Sequence, residues 1–154
     1  MQAASVPSVN RMSSDALDQL PDWANRLLAE ARVGHLGLLD DNEHPRVLPV
    51  TYALWDGALW SAIDRKPKRR RPARLRYLER RPDASLTVDR YEEEWTALAW
   101  VQVLGRVEIL ELGAAEAEGA LAALTEKYGQ YRDERPPGPL LRFMPRRALC
   151  WQAA

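Results

Sequence analysis

The densest chemistry in the sequence lies in the run Asp64-Arg65-Lys66-Pro67-Lys68-Arg69-Arg70-Arg71. Lysine supplies a compact point charge and arginine a planar fork of donors, and together they suit a phosphate monoester, which carries nearly two charges at neutral pH. The run is part of a larger imbalance. From Arg65 to Arg81 ten basic residues stand against one acid, Glu79, so 17 residues hold a net +9. The other 137 hold −9, and the chain as a whole, with 22 basic and 22 acidic residues, is formally neutral. Three readings of the run are open: a site for a compact multiply charged anion, a solvated charged face, or a surface for a nucleic-acid backbone. The −9 body would repel a long polyanion everywhere outside the patch, so no nucleic-acid partner is expected.

Other reactive residues are few. His35 and His44 are nine positions apart, with no cysteine or carboxylate at ligand spacing beside them, and no metal site is expected. The single cysteine, Cys150 beside Trp151, excludes an intrachain disulfide and reads as a small core residue. The sequence has neither a GxSxG elbow nor a GxxxxGK or GxGxxG loop, so covalent hydrolysis is not expected and any phosphate must be held by side chains. No catalytic acid or base is assigned.

These residues need elements to position them. With 154 residues and 46% hydrophobic content, one core is the expectation: a tail over 1–13 and a single domain over 14–154. Leu20, Trp23, Ala24, Leu27, Leu28 and Ala31 recur at three and four, which predicts an amphipathic helix from Leu17, with Pro21 in its first turn and Gly34 closing it. The period then drops to two. His35 to Leu39, Arg46 to Trp55 and Ala58 to Ile63 read as strands, with turns at Asp40-Asp41-Asn42 and Asp56-Gly57. Asp64 to Arg71 reads as a loop and Ala73 to Arg80 as a short helix begun by Pro72. Further strands follow at Ala84 to Asp89 and Trp95 to Glu111, separated by the turn Arg90 to Glu94. Gly105 marks a bulge or bend in the longer one. Gly113 to Lys127 reads as a helix and Leu140 to Trp151 as the last strand. Antiparallel hairpins with few helices predict a mainly β, α+β domain built as a small barrel. The apolar runs are too short to span a bilayer and the first ten residues lack a secretory pattern, so a cytoplasmic protein with no membrane partner is expected.

The successive segments Leu36-Gly37-Leu38-Leu39, Pro45-Arg46-Val47-Leu48-Pro49-Val50, Leu59-Trp60-Ser61-Ala62, Arg81-Pro82-Asp83-Ala84-Ser85-Leu86 and Val103-Leu104-Gly105-Arg106-Val107-Glu108 resemble the strands of the pyridoxamine 5′-phosphate oxidase-like split β-barrel flavoproteins. The resemblance runs over residues 20 to 152. Asp64 to Lys68, Asp89 to Trp95, Glu126-Lys127-Tyr128-Gly129-Gln130-Tyr131-Arg132 and Trp151 are similar to the actinobacterial branch of that family associated with the deazaflavin coenzyme F-420.

What the resemblance implies is an oxidoreductase with a split antiparallel β-barrel of the FMN-binding-protein type. It acts as a homodimer with two cofactor sites at the subunit interface and passes hydride to a small electron-poor organic acceptor. F-420 is the preferred cofactor and FMN the alternative. Carried over, the cofactor-binding residues are Arg65 and Lys66 with Lys68 for the phosphate, the Arg46, Val47 and Leu48 backbone for the ring system, and Trp60 and Ser61 before the basic pair. Trp100 and Trp151 come from the partner chain, with interface packing as their plainer reading. Tyr91 and Arg46 are candidates for substrate contact, and Arg69, Arg70 and Arg71 for the γ-glutamate tail of F-420. A cofactor carrier without turnover and a nucleic-acid binder are the rival readings.

Overall fold

The computed structural model describes residues 4–5, 15–63 and 71–153. Helices α1 (Asp15–Asp18) and α2 (Asp22–Glu30) precede strands β2 (Gly34–Leu39), β3 (Pro45–Val50), β4 (Ala53–Trp55) and β5 (Ala58–Ala62), with a short β1 (Ala4–Ser5) before them. Then come α3 (Ala73–Arg80), β6 (Asp83–Arg90), β7 (Ala99–Leu110), α4 (Ala115–Lys127), α5 (Gln130–Asp133) and β8 (Leu140–Gln152). The strands form one antiparallel sheet in the order β3-β2-β6-β7-β8-β5-β4, and β1 adds to β8. The two ends of that order, β3 and β4, are consecutive in the chain, joined by Thr51 and Tyr52 alone. Three peptide steps reach about 11 Å at most, so the seven strands must curl until their ends nearly meet. The path is not closed by a β3–β4 ladder, which makes the barrel split.

Local chemistry accounts for most of the boundaries. Asp56 (φ 49°) and Gly57 (φ 72°) both take left-handed backbone, the requirement of a two-residue hairpin turn between β4 and β5. At Gly105 the register between β7 and β8 shifts, and a Cβ there would lie 2.1 Å from the Met144 carbonyl oxygen. Pro145 falls opposite this bulge, where a missing N–H interrupts nothing. The barrel interior is filled by Leu36, Leu38, Val50, Leu59, Leu86, Val101, Val103 and Phe143, closed at one side by Leu20, Ala24 and Leu28 and by Leu75 and Leu78 of α3. A second apolar layer joins Ala117, Ala120 and Leu124 of α4 to Ala58, Trp60 and Ala62 on the opposite side of β5.

Several expected boundaries change. The first helix is two helices, because Pro21 stands outside α2 as its N-terminal cap and the turn before it cannot continue. Gly34 is not a cap; it opens β2, and Ala31 ends the helix. The run Arg46 to Trp55 divides at Thr51–Tyr52, since β3 pairs with β2 and β4 with β5. Trp95–Ala97 form a 3-10 turn before β7, and α5 is an element not anticipated. Of the expected tail, residues 4–5 pair with β8 and the rest lie outside the described residues. Among the described residues no helix is long and apolar enough to cross a membrane.

Candidate functional site

Strand β5 is buried along its whole length, and its last residues deliver Ser61 to the split end of the barrel. Ser61 Oγ donates to the Thr51 carbonyl at 2.6 Å, tying the end of β5 to the β3–β4 link. The Thr51 hydroxyl shares a 2.7 Å hydrogen bond with the Tyr131 hydroxyl. Around them opens a cavity of about 160 Å³, lined by Val33, Pro49, Val50, Thr51, Ser61, Ala62 and Arg74 from the first turn of α3. The barrel interior beneath, between Leu36, Tyr52, Leu86 and Phe143, has only about 10 Å³ free. A ligand therefore meets the barrel at its end and cannot enter it. Two hydroxyls already engaged in hydrogen bonds and a guanidinium form the polar wall of the cavity, Val33, Pro49 and Val50 the apolar one, and the Arg74 charge is the feature of this wall that fits the anionic end of a flavin-type cofactor.

The residues expected at the site separate into groups. Arg65, Lys66 and Lys68, with Arg69 and Arg70, lie outside the described residues, in the stretch between β5 and α3. Ser61 lines the cavity. Trp60 points the other way, 1% exposed in the α4 layer, with its indole N–H donating to the Trp55 carbonyl at 3.0 Å. Arg46 reaches Asp40 at 3.5 Å, Leu48 packs on the barrel core, and Val47 is 66% exposed. The Asp40 carboxylate accepts from the backbone N–H groups of His44 and Asn42 at 3.0 and 2.9 Å. These bonds and Arg46 hold its pKa below the ordinary carboxylate value, the His44 amide contributing most and burial opposing. Arg46 thus anchors the β2–β3 turn.

Trp100 and Trp151 face each other across β7 and β8. They belong to the outer side of the sheet, whose next rows run Pro49, His35, Thr87, Gln102, Leu149 and Val47, Gly37, Ser85, Leu104, Arg147. Tyr91, 62% exposed, stands in the acidic turn just beyond Asp89 and Arg90, which the Arg90 guanidinium closes by donating to the Ala97 carbonyl at 2.7 Å.

Much of the basic segment is already engaged. Arg76 and Arg80 both bind Asp41 at 2.9 and 3.2 Å, Arg81 binds Glu43, and Arg71 binds Glu79 at 2.6 Å. Arg76, Arg80 and Arg81 neutralise the β2–β3 turn, and of the described arginines of the segment Arg74 alone lines the cavity. Thr51 and Arg74 were not singled out by sequence reasoning. The signal for Arg74 was available, its position two residues past the helix-starting Pro72; Thr51 had none. Cys150 is 1% exposed in the core, and burial pushes its thiol up, away from the reactive thiolate. Among the described residues no group of three His, Cys, Asp or Glu could hold a metal ion.

Residues 20–152 match the pyridoxamine 5′-phosphate oxidase family. The chain belongs to it. Among curated proteins no significant match is found. Solved structures of the same fold include an FAD-binding protein from Mesorhizobium loti, 21% identical over 88% of this chain and 96% of that one, with a TM-score of 0.66. A conserved hypothetical protein from Mycobacterium tuberculosis is 18% identical over 97% and 89%, with a TM-score of 0.68. The heme storage protein HutZ from Vibrio cholerae is 18% identical over 75% and 82%, with a TM-score of 0.62. At these identities the likeness establishes the split-barrel fold and nothing finer.

Proposed function

We propose that this family member is a cytoplasmic, homodimeric oxidoreductase that holds a flavin-type cofactor at the split end of its barrel, F-420 by preference and FMN as the alternative. The observation that carries this reading is the cavity itself: Ser61, Thr51 and Arg74 converge on about 160 Å³ at the point where β5 runs into Arg65, Lys66 and Lys68. Arg74 and the basic pair would take the phosphate, and Pro49 with the Arg46–Leu48 backbone would flank the ring system. Ser61 keeps its proton on Thr51, so toward an anion it donates only by giving up that bond. Small-molecule pockets usually measure roughly 300–1,000 Å³, so one protomer encloses only part of such a cofactor. A second copy supplies the rest. The outer sheet face, where Val47, Trp100, Leu104, Leu149 and Trp151 stand exposed or half-buried among polar neighbours, is the surface on which that copy would seat.

The bound cofactor would supply a hydride to a small electron-poor acceptor. The protein positions the cofactor and excludes water, and among the described lining residues none is a carboxylate or imidazole that would hold the accompanying proton. That same absence from the lining favours the second reading, cofactor carriage without turnover. The preference for F-420 rests on Asp64 to Lys68, Asp89 to Trp95 and Glu126 to Arg132, and on Arg69 and Arg70 as partners of a charged tail. Arg71 is drawn toward Glu79.

Fluorescence titration of the purified protein with F-420 and with FMN tests the proposal. Quenching that saturates at one cofactor per protomer, tighter for F-420, is expected, followed by turnover of a reducible acceptor. Unchanged spectra with both cofactors would overturn the cofactor reading; binding without turnover would make the protein a carrier.

A further inference from the structure

Where α4 ends, a group of side chains grips the two-residue link between β3 and β4. Lys127 Nζ donates to the Tyr52 carbonyl at 2.9 Å and sits 4.0 Å from the centre of the Tyr52 ring and 5.4 Å from that of Tyr128. The Tyr128 hydroxyl accepts the Tyr52 N–H at 3.2 Å, and its own proton lies between the carbonyls of Arg32 (2.9 Å) and Tyr52 (3.2 Å). With Tyr131 on the Thr51 hydroxyl and Ser61 on the Thr51 carbonyl, the link is held at both of its residues. The Tyr52 hydroxyl adds a bond to the Leu28 carbonyl of α2, and three of the five groups so held, the Thr51 hydroxyl and the Tyr52 N–H and carbonyl, are held by the segment 127–131. Thr51 is a wall of the cavity, so this segment decides where the wall stands. The residue type is itself informative. Of the chain's 22 cations only Lys66, Lys68 and Lys127 are lysines. A compact ammonium fits between two rings and a carbonyl, where a planar guanidinium would need more room.

We propose that Lys127 is a positioning residue of the cavity: its ammonium, clasped between Tyr52 and Tyr128, fixes the Tyr52 carbonyl and with it the Thr51 wall that receives the anionic end of the cofactor. The assignment rests on the cofactor reading above. The groups facing Lys127 are Tyr52 from the link, Tyr128 from its own segment and Arg32 from the stretch after α2, whose guanidinium stacks 4.6 Å from the Tyr128 ring. Burial pushes both tyrosines up, so they stay neutral through mildly alkaline pH. Burial, and then the Arg32 charge, bring Lys127 down from 10.5 to about 8. Above that pH the amine loses its cation–π contacts and keeps only a neutral hydrogen bond, so the grip loosens. An anionic cofactor favours the charged form, and affinity therefore falls as pH rises through about 8. Stability moves the opposite way: the unfolded chain holds this proton up to 10.5, so the lysine's contribution to folding rises with pH between about 8 and 10.5. Loss of affinity in that window is thus distinguishable from unfolding.

The test measures F-420 and FMN dissociation constants from pH 6.5 to 9.5 for the wild type, Lys127→Arg and Lys127→Met, together with amide exchange of Tyr52 by NMR in the cofactor-free proteins. Expected are an affinity loss of about tenfold across pH 8 in the wild type, no such step in Lys127→Arg, and in Lys127→Met a pH-independent loss of about tenfold with faster exchange at Tyr52. A wild-type affinity that does not change across pH 8, a step that survives in Lys127→Arg, or unchanged Tyr52 exchange in Lys127→Met would each overturn the assignment. Should Lys127→Arg fail to fold, the wild-type profile and the Tyr52 exchange decide. Absence of all cofactor binding with Tyr52 exchange raised in Lys127→Met would instead strike the cofactor reading and leave the grip intact.

Discussion

The split end of the barrel and the outer face of its sheet are made by the same strands, yet one is a small polar cavity while the other is a broad open face that carries two tryptophans. At the split end, Ser61, Thr51 and Tyr131 bind one another and leave a small cavity with Arg74 at its wall. On the outer face Trp100 lies opposite Trp151, the next row sets Leu149 beside Gln102, which donates to Thr87 at 3.3 Å, and the one after sets Leu104 between Ser85 and Arg147. Alternation along β7 puts every second residue on each side, so packing the barrel obliges the strand to present an outer stripe. Along β7 the outer stripe runs Trp100, Gln102, Leu104, Arg106 and Glu108, so its apolar part, with Trp151 across from Trp100, is gathered toward the start of the strand. On the proposed reading, the comparison teaches that recognition in this chain would be divided. The cavity would supply a charged contact in too little volume, and the sheet face would supply the area.

Breaking the outer face should therefore have the largest effect. Trp100→Glu places a carboxylate opposite Trp151 and beside Asp89 within the proposed dimer contact. Burying an unpaired charge costs several kcal/mol, so dimer dissociation measured by analytical ultracentrifugation should strengthen by at least about a hundredfold. Cofactor affinity should fall with it, because the half-site left on a monomer is too small. A monomeric wild type, or a dimeric Trp100→Glu, would sink the division of labour.

The split end should respond the other way. Arg74→Ala removes the one described guanidinium that lines the cavity and leaves the outer face untouched. A hydrogen bond to a charged group contributes about 1.5–3 kcal/mol, so cofactor affinity should drop roughly ten- to a hundredfold while the sedimentation profile stays that of the wild type. Equal loss of dimer and cofactor in this variant would mean that the two regions are one.

How much of this was legible from the residues alone depends on how far apart the determinants lie. The Asp56-Gly57 hairpin, the helix begun at Pro72 and the irregularity at Gly105 rest on local backbone chemistry, and each is found where expected. Pro21 was equally local, but its effect was read as a start within one helix when it separates two. The division of Arg46 to Trp55 was not legible. Nothing near Thr51 or Tyr52 announces it, because the groups that take their hydrogen bonds come from Lys127, Tyr128 and Tyr131, up to 80 residues away. The motif Glu126 to Arg132 was visible as a resemblance, but its work in gripping the link was not. Charge counting failed for the same reason. The +9 of residues 65–81 is a true sum, yet Asp41, 35 and 39 positions from Arg76 and Arg80, engages two of those charges.

That pairing gives the smallest and sharpest test of the comparison. If the arginines of α3 exist to hold the β2–β3 turn, Asp41→Ala should cost little stability, because exposed ion pairs gain modest Coulomb energy and lose side-chain entropy; the midpoint of thermal unfolding should move by no more than about 2 °C. The same change uncovers two guanidinium groups, two and six residues along α3 from Arg74 and so within about two turns of it. An anion at the split end then feels a more positive field, screened within about 10 Å at 0.1 M salt, and should bind roughly two- to threefold more tightly at low salt with the gain gone at high salt. Dimer formation should not change, since Asp41 lies in the β2–β3 turn, off the Trp100 and Trp151 rows. A tenfold gain that persists in high salt would show that these arginines contact the cofactor directly, and the basic segment would then act as one surface throughout its length.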